Sequence, residues 1–182
     1  MIAGVSIVPL GVFADPRGEV RQMLRADAPH FVGFGEVYFS SVRGGMVKGW
    51  RRHRRMTANL AVPVGRVRLV LYDDRDDSPS RGQAQEITLG HDSYNLVVVP
   101  PGVWSAFQGL DGASSLVANC ASIPHDPSEV DNRPLSDPPT LSMLMGTIAE
   151  AVGFGNKPAE ALHVAAPVRP AGRVHPAKFK LS

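Results

Sequence analysis

Nine short runs with β character, each closed by glycine, proline or small polar residues, set the strongest limit on how this 182-residue chain can fold. They lie at 5–8, 19–24, 36–42, 47–52, 60–64, 66–73, 84–89, 96–99 and 115–119. Between them stand separators such as Asp15-Pro16-Arg17-Gly18, Arg43-Gly44-Gly45, Ser78-Pro79-Ser80-Arg81-Gly82 and Pro100-Pro101-Gly102. Glycine admits positive φ, proline pre-sets φ, and Asp and Ser bond their own backbone, so these segments turn the chain back. No long helices interleave the runs, and the pattern predicts an all-β sandwich or jelly roll. Residues 66–73 alternate well, which puts Val67, Leu69 and Leu71 on the core face.

The last quarter of the chain has a different rhythm. Asp137 offers an N-cap with Pro138 at the first helical position, and Leu141, Leu144, Met145, Ile148 and Val152 recur at helical spacing. Gly153 or Gly155 can stop the run. Prolines at 158, 167, 170 and 176 then thin any periodicity. The expected organisation is a β domain at 1–137, a helix packed on it at 138–155, and an extended arm at 156–182.

An apolar share of 43% argues against disorder of the whole chain, and a net charge of +2 gives no reason to invoke nucleic acid. A single cysteine, Cys120, sits in an apolar run and reads as a buried, inert thiol in a reducing compartment. The opening residues lack a basic start, and no run approaches the roughly 20 apolar residues of a membrane helix. The expectation is a cytoplasmic protein without membrane or nucleic-acid partners. One basic cluster stands out: Arg51, Arg52, Arg54 and Arg55 surround His53. It suits either a solvated strand end or an anion site, since guanidinium forks match phosphate and carboxylate oxygens. Alternation puts Arg51, His53 and Arg55 on one face and Arg52 and Arg54 on the other, so at most half the cluster can line a pocket.

The same stretch has a recognisable spacing. Gly45 leads five residues on to Arg51, then comes His53, Ala58 after four more and Gly65 after a further six; Ser105 follows Pro100-Pro101-Gly102 downstream. This resembles the cupin metal motif, in which His, His, Glu and a later His occupy the positions of Arg51, His53, Ala58 and Ser105. One ligand in four survives, and zinc, iron or manganese sites need three or four. The jelly roll is therefore expected to be of cupin type, with no metal and no cofactor.

Four segments, in order and at compatible spacing, carry a closer resemblance. Asp15-Pro16-Arg17-Gly18 is similar to Asp-x-Arg-Gly, and Lys48-Gly49-Trp50-Arg51 to Arg-Gly-Leu-His. Asp73-Asp74-Arg75-Asp76-Asp77-Ser78 matches Asp-x-Arg-x-x-Ser, and the run from Pro100 to Phe107 parallels Pro-x-Gly-Phe-x-His-Gly-Phe. Together they resemble the dTDP-4-dehydrorhamnose 3,5-epimerase family of sugar-nucleotide cupins and its 3,4-ketoisomerase relatives.

The resemblance implies inversion of a sugar carbon beside a ketone, with a His base, a Tyr acid on the opposite face and a Lys on the enolate oxygen. Those positions fall here at Arg51, Ala58 (the Lys) and Ala118 (the Tyr). An arginine, with a pKa above about 12, cannot serve as a general base at neutral pH. His53 matches the second His of the ketoisomerase His-x-His pair and is the candidate base, with Arg51 as an electrostatic clamp on the enolate; a His bonded within the barrel wall is the other reading. The resemblance further implies that Arg17 meets the diphosphate with Lys48 near it. Tyr38 and Trp104 could stack on base or sugar, though both also suit a core, and Ser105 would touch substrate. Two functions follow. The first is a metal-independent isomerase or epimerase acting on a nucleotide-linked 4-keto-6-deoxy sugar. The second is a catalytically silent cupin binding a sugar nucleotide or other anionic small molecule. A homodimer in which N-terminal strands cross between subunits is implied as well.

Overall fold

The structure is a computed structural model that describes residues 1–135. The helix expected at 138–155 and the arm at 156–182 lie outside the described residues. The strands are β1 (Ser6–Pro9), β2 (Val12–Asp15), β3 (Gly18–Arg21), β4 (Glu36–Val42), β5 (Val47–His53), β6 (Ala58–Val64), β7 (Arg66–Asp73), β8 (Ala84–Gly90), β9 (Asn95–Val99), β10 (Val103–Gly109), β11 (Ser115–Ala121) and β12 (Val130–Asn132). A single 3-10 turn, Pro127–Glu129, precedes β12.

Two five-stranded antiparallel sheets face each other. One runs β1-β9-β6-β11-β4 and the other β12-β5-β10-β7-β8, while β2 and β3 form a separate hairpin. Val42, Leu60, Val62, Val67, Leu69, Leu71 and Val117 close the space between the sheets. Val67, Leu69 and Leu71 are all at most 1% exposed, as their alternation predicts. Burying side chains of this size contributes about 1.5–3 kcal/mol each, which makes this layer the main source of stability. The all-β, cupin-type expectation is met.

Val70, from the other face of β7, is also fully buried. It packs with Trp50, Trp104 and Ala106 under Tyr72, Val47 and Leu135, so the second sheet is covered on its outer face too. This double burial hid β10 from the sequence reading. Val103, Trp104, Ala106 and Gln108 are all buried, so exposure does not alternate between the two faces of the strand. The hairpin strand β2 and the three-residue β12 were likewise not foreseen.

Two glycines shape the site strand and its neighbour. Gly65 turns β6 into β7 at φ +75, where a Cβ would sit 2.4 Å from Ser115 Oγ. Gly49, at φ +144, lies so close to β10 that a Cβ would meet the Ala106 Cβ at 2.5 Å. There β5 carries one extra residue: Ser105 pairs with Arg51, but Phe107 pairs with Lys48. This β-bulge resets the alternation, so Lys48 and Arg51 share a face although three positions separate them.

The Asp73-to-Ser78 signature is a structural knot. The Asp73 carboxylate, fully buried, accepts from Arg75 Nε (2.8 Å), Ser78 Oγ (2.5 Å) and Ser80 Oγ (2.6 Å). Arg75 also reaches the Ala3 carbonyl at 2.7 Å and ties down the N-terminal segment. The Arg75 guanidinium, with the two hydroxyls, holds the Asp73 carboxyl far below the usual carboxylate range despite its burial. Among the described residues, no helix is long and apolar enough to cross a membrane.

Candidate functional site at the barrel mouth

Strand β5 separates its basic residues onto two faces. On the outer face, Arg52 contacts Asp131 at 2.9 Å and Asp74 at 3.1 Å, and Arg54 contacts Asp131 at 2.6 Å. Arg54 and then Arg52 hold the Asp131 carboxyl down to about 2. Arg55 lies past the strand end and pairs with Asp126 at 2.9 Å, so it does not join Arg51 and His53 as alternation suggested.

Trp104 belongs to this outer network. It is 1% exposed, sandwiched between the guanidiniums of Arg52 (4.7 Å) and Arg133 (4.3 Å), and its indole N–H donates to Asp74 at 3.0 Å. The structure gives it a packing role away from the mouth.

The inner face holds Lys48, Arg51 and His53, with Ser105 beside Arg51. Ser105 Oγ donates to the Arg51 carbonyl at 3.2 Å. Across the mouth, β4 presents Tyr38 and Ser40, and Lys48 Nζ donates to Ser40 Oγ at 3.0 Å. Every arginine among the described residues has an acidic partner except Arg43 and Arg51. Arg51 and Lys48 thus face the mouth as cations with no carboxylate partner among the described residues.

His53 is anchored by a residue that sequence reasoning missed. Its Nδ1 lies 2.7 Å from Glu129 Oε1, and the two side chains are 13% and 2% exposed. The other Glu129 oxygen accepts the backbone N–H groups of Arg54 and Arg55, both at 3.0 Å. Burial pushes the Glu129 carboxyl up, but the Arg55 N–H, the His53 ring and the Met56 N–H outweigh it and keep the group below its ordinary value. An ionised carboxylate only accepts, so a ring carrying a single proton holds it on Nδ1 and leaves the Nε2 lone pair free. The Pro124–Ser128 stretch did contain a usable signal. Asp126 before Pro127 is a cap pair, and Asp126 accepts from Ser128 N at 2.9 Å.

Arg17 is elsewhere. It sits at the tip of the β2–β3 hairpin, 89% exposed, and its guanidinium bonds Asp15 of the same turn at 2.7 Å. Beside it, Phe13, Asp15, Glu19 and Val20 line a groove of about 270 Å³. Ala58 lies on the inner face in the main core. Ala118 pairs with Ala61 and Phe39 and projects from the outer side of β11, whereas its neighbour Asn119 faces the interior. Cys120 is buried, which pushes its thiol up, in keeping with an inert role.

The mouth of the jelly roll thus brings together an imidazole oriented by Glu129 and two cations, Lys48 and Arg51, that have no carboxylate partner among the described residues. The chain belongs to the dTDP-4-dehydrorhamnose 3,5-epimerase family, whose model matches residues 1–141. It is similar to a solved dTDP sugar isomerase from Desulfovibrio desulfuricans, with 43% identity and a TM-score of 0.74 over 75% of this chain and 88% of that one. The probable low-salt glycan biosynthesis epimerase Agl13 of Haloferax volcanii is 29% identical over 132 residues, 71% of this chain and 85% of Agl13. The spore coat polysaccharide biosynthesis protein SpsL of Bacillus subtilis is 26% identical over 133 residues, 73% of this chain and 88% of SpsL.

Proposed function

We propose that the protein is a metal-independent isomerase or epimerase acting on a nucleotide-linked 4-keto-6-deoxy sugar. The observation that carries this reading is the oriented His53–Glu129 pair beside Arg51 and Lys48 on the inner face. A carbon next to a ketone carries an acidic proton, and in this reading the Nε2 of His53 accepts it. Arg51 then supplies a fixed positive charge for the enolate oxygen. Lys48 and Arg51 together suit the diphosphate end of such a ligand, and Ser105 and Tyr38 complete the wall. Membership of an epimerase family and similarity to a dTDP sugar isomerase support the substrate class.

Arg17 enters this reading through assembly. Phe13 and Val20 on its hairpin are 60% and 64% exposed, and Val37 and Phe39 on the edge strand β4 are 46% and 63% exposed. Apolar surface of this kind on a hairpin and a free edge suits a second copy of the chain. The reading is a homodimer with N-terminal strands crossing, and Arg17 delivered to the partner's ligand.

The test is solvent deuterium uptake into a dTDP-4-keto-6-deoxy sugar, followed by mass spectrometry. Uptake is expected with the wild-type protein and a loss of about 10²–10⁴-fold in His53→Ala. A thermal shift with dTDP but no uptake would instead establish the silent binder.

A further inference from the structure

Inverting a carbon requires the proton to leave on one face and return on the other, so a base alone does not suffice. Returning it to the same face gives exchange, or migration of the ketone, without inversion. At Ala118, where the family resemblance places the acid, the chain has only a methyl group on the outer side of β11. The inner wall nevertheless presents a phenol from a different strand.

Tyr38 projects from the interior side of β4, half-buried, in register with Asn119. Asn119 Oδ1 accepts the Asn59 backbone N–H at 3.0 Å, which fixes the orientation of the buried amide. Asn119 Nδ2 therefore donates to Tyr38 Oη, at 2.8 Å. The phenol oxygen accepts from that amide, which leaves its own hydrogen available to be donated elsewhere. The same amide remains aimed at that oxygen after the hydrogen departs, when the oxygen is negative. Strands β4 and β5 belong to opposite sheets and touch through Ser40 and Lys48. Tyr38 thus approaches the mouth from the sheet opposite the one that carries His53. The charged groups sharing the inner faces of these strands are Glu36 on β4 and Lys48, Arg51 and His53 on β5.

We propose that Tyr38 is the proton donor opposite His53, so that the reaction inverts a carbon rather than only moving the ketone. This rests on the isomerase reading above. In the step, His53 Nε2 takes the proton from the carbon beside the ketone, and the C–H electron pair moves into the enolate. The enolate carbon then takes the Tyr38 hydroxyl proton on its other face, restoring the ketone. The phenolate is reprotonated from water and His53 releases its proton to water, so atoms and charge balance.

The experiment follows deuterium uptake and epimer formation separately on one dTDP-4-keto-6-deoxy sugar in the full chain. Tyr38→Phe is expected to lower epimer formation by about 10²-fold or more, and by about 10-fold more than it lowers uptake. His53→Ala loses both. Because phenylalanine also removes the Asn119 contact, a second protein carries a fluorinated tyrosine at position 38, nearly isosteric but more acidic. Its alkaline limb for epimer formation moves to lower pH, and that for uptake does not. Epimer formation at the wild-type rate in Tyr38→Phe, or an unmoved limb with the fluorinated residue, overturns the assignment. Wild-type protein that neither exchanges nor inverts overturns the isomerase reading itself, and the role of Tyr38 with it.

Discussion

On the outer face of β5, Arg52 has two carboxylates within 3.1 Å and a tryptophan face against it; on the inner face, Arg51 has no carboxylate among the described residues. The two are chain neighbours with the same side chain. Their roles separate because β10, β12 and the residue after β7 bring Trp104, Asp131 and Asp74 to one face, while the 3-10 turn brings Glu129 to the other. Glu129 is itself engaged by His53 and three backbone N–H groups, and it makes no ion pair with Arg51. A guanidinium satisfied by fixed acids is part of the scaffold, whereas an exposed one left without an acid is chemically suited to an anionic partner.

The sharpest way to break this contrast is to change what Glu129 says to His53 without emptying its site. In Glu129→Gln, the amide oxygen still accepts the Arg54 and Arg55 N–H groups, and the NH₂ turns toward His53 Nδ1. A donor there forces the ring proton onto Nε2, the atom needed as the base. Deuterium uptake is expected to fall on the order of 10²–10⁴-fold, with dTDP affinity nearly unchanged. Uptake within a few-fold of wild type would show that His53 does not act through this pair. Glu129→Ala is expected to behave differently, because the Arg54, Arg55 and Met56 N–H groups lose their acceptor and stability drops by roughly 2–4 kcal/mol in denaturant titrations.

A paired comparison of neighbours comes next in size. Arg51→Ala is expected to weaken dTDP binding by about 10-fold or more, since a hydrogen bond to a charged group contributes roughly 1.5–3 kcal/mol. The melting temperature should hardly move. Arg52→Ala reverses the pattern. Loss of the Asp131 contact and the Trp104 stack lowers stability by about 1–2 kcal/mol, at roughly 2–4 °C per kcal/mol for a chain of this size, with affinity retained. Calorimetric titration and thermal melting of both variants decide it. If both lose affinity equally, the two faces are not functionally distinct.

Much of this contrast was legible in the sequence, but unevenly. The bounds of β4 and β7 coincide with runs 36–42 and 66–73, because turn residues close both and β7 alternates cleanly. The division of Arg51 and His53 from Arg52 and Arg54 also follows from strand parity alone. Trp104 shows the same rule neglected: with Ser105 facing the mouth, its neighbour must face away, yet both read as ligand contacts. Lys48 shows the rule failing for a physical reason, since the extra residue in β5 reverses parity between positions 48 and 51. Glu129 was out of reach for another reason. It lies 76 residues from His53, and no local periodicity reports a contact across that separation. The Asp73 signature was seen in the sequence as a family mark, and its work turns out to be holding Arg75 and the N-terminal segment.

The outer network also sets a pH dependence that the mouth does not share. Arg54 and Arg52 hold Asp131 down to about 2, from an ordinary carboxyl near 3.8. A depressed folded-state value means that the unfolded chain takes up the proton first, so the stabilisation is fully present above about pH 4. It is lost as the pH falls from about 4 through 2. Asp73 is lowered as well and contributes to the same acid limb, so the wild-type curve alone does not isolate Asp131. The difference between wild type and Asp131→Asn does. Their melting temperatures should be separated by a few degrees at pH 6 and converge between pH 4 and 2, because the variant has nothing left to titrate at that position. The effect is the smallest of the three, as Asp131 remains 20% exposed and water screens its pairs. A gap between the two curves that stays constant down to pH 2 would mean that the pairs with Arg52 and Arg54 do not stabilise the fold through charge, and the outer face would then be held by the packing of Trp50, Val70, Trp104 and Ala106.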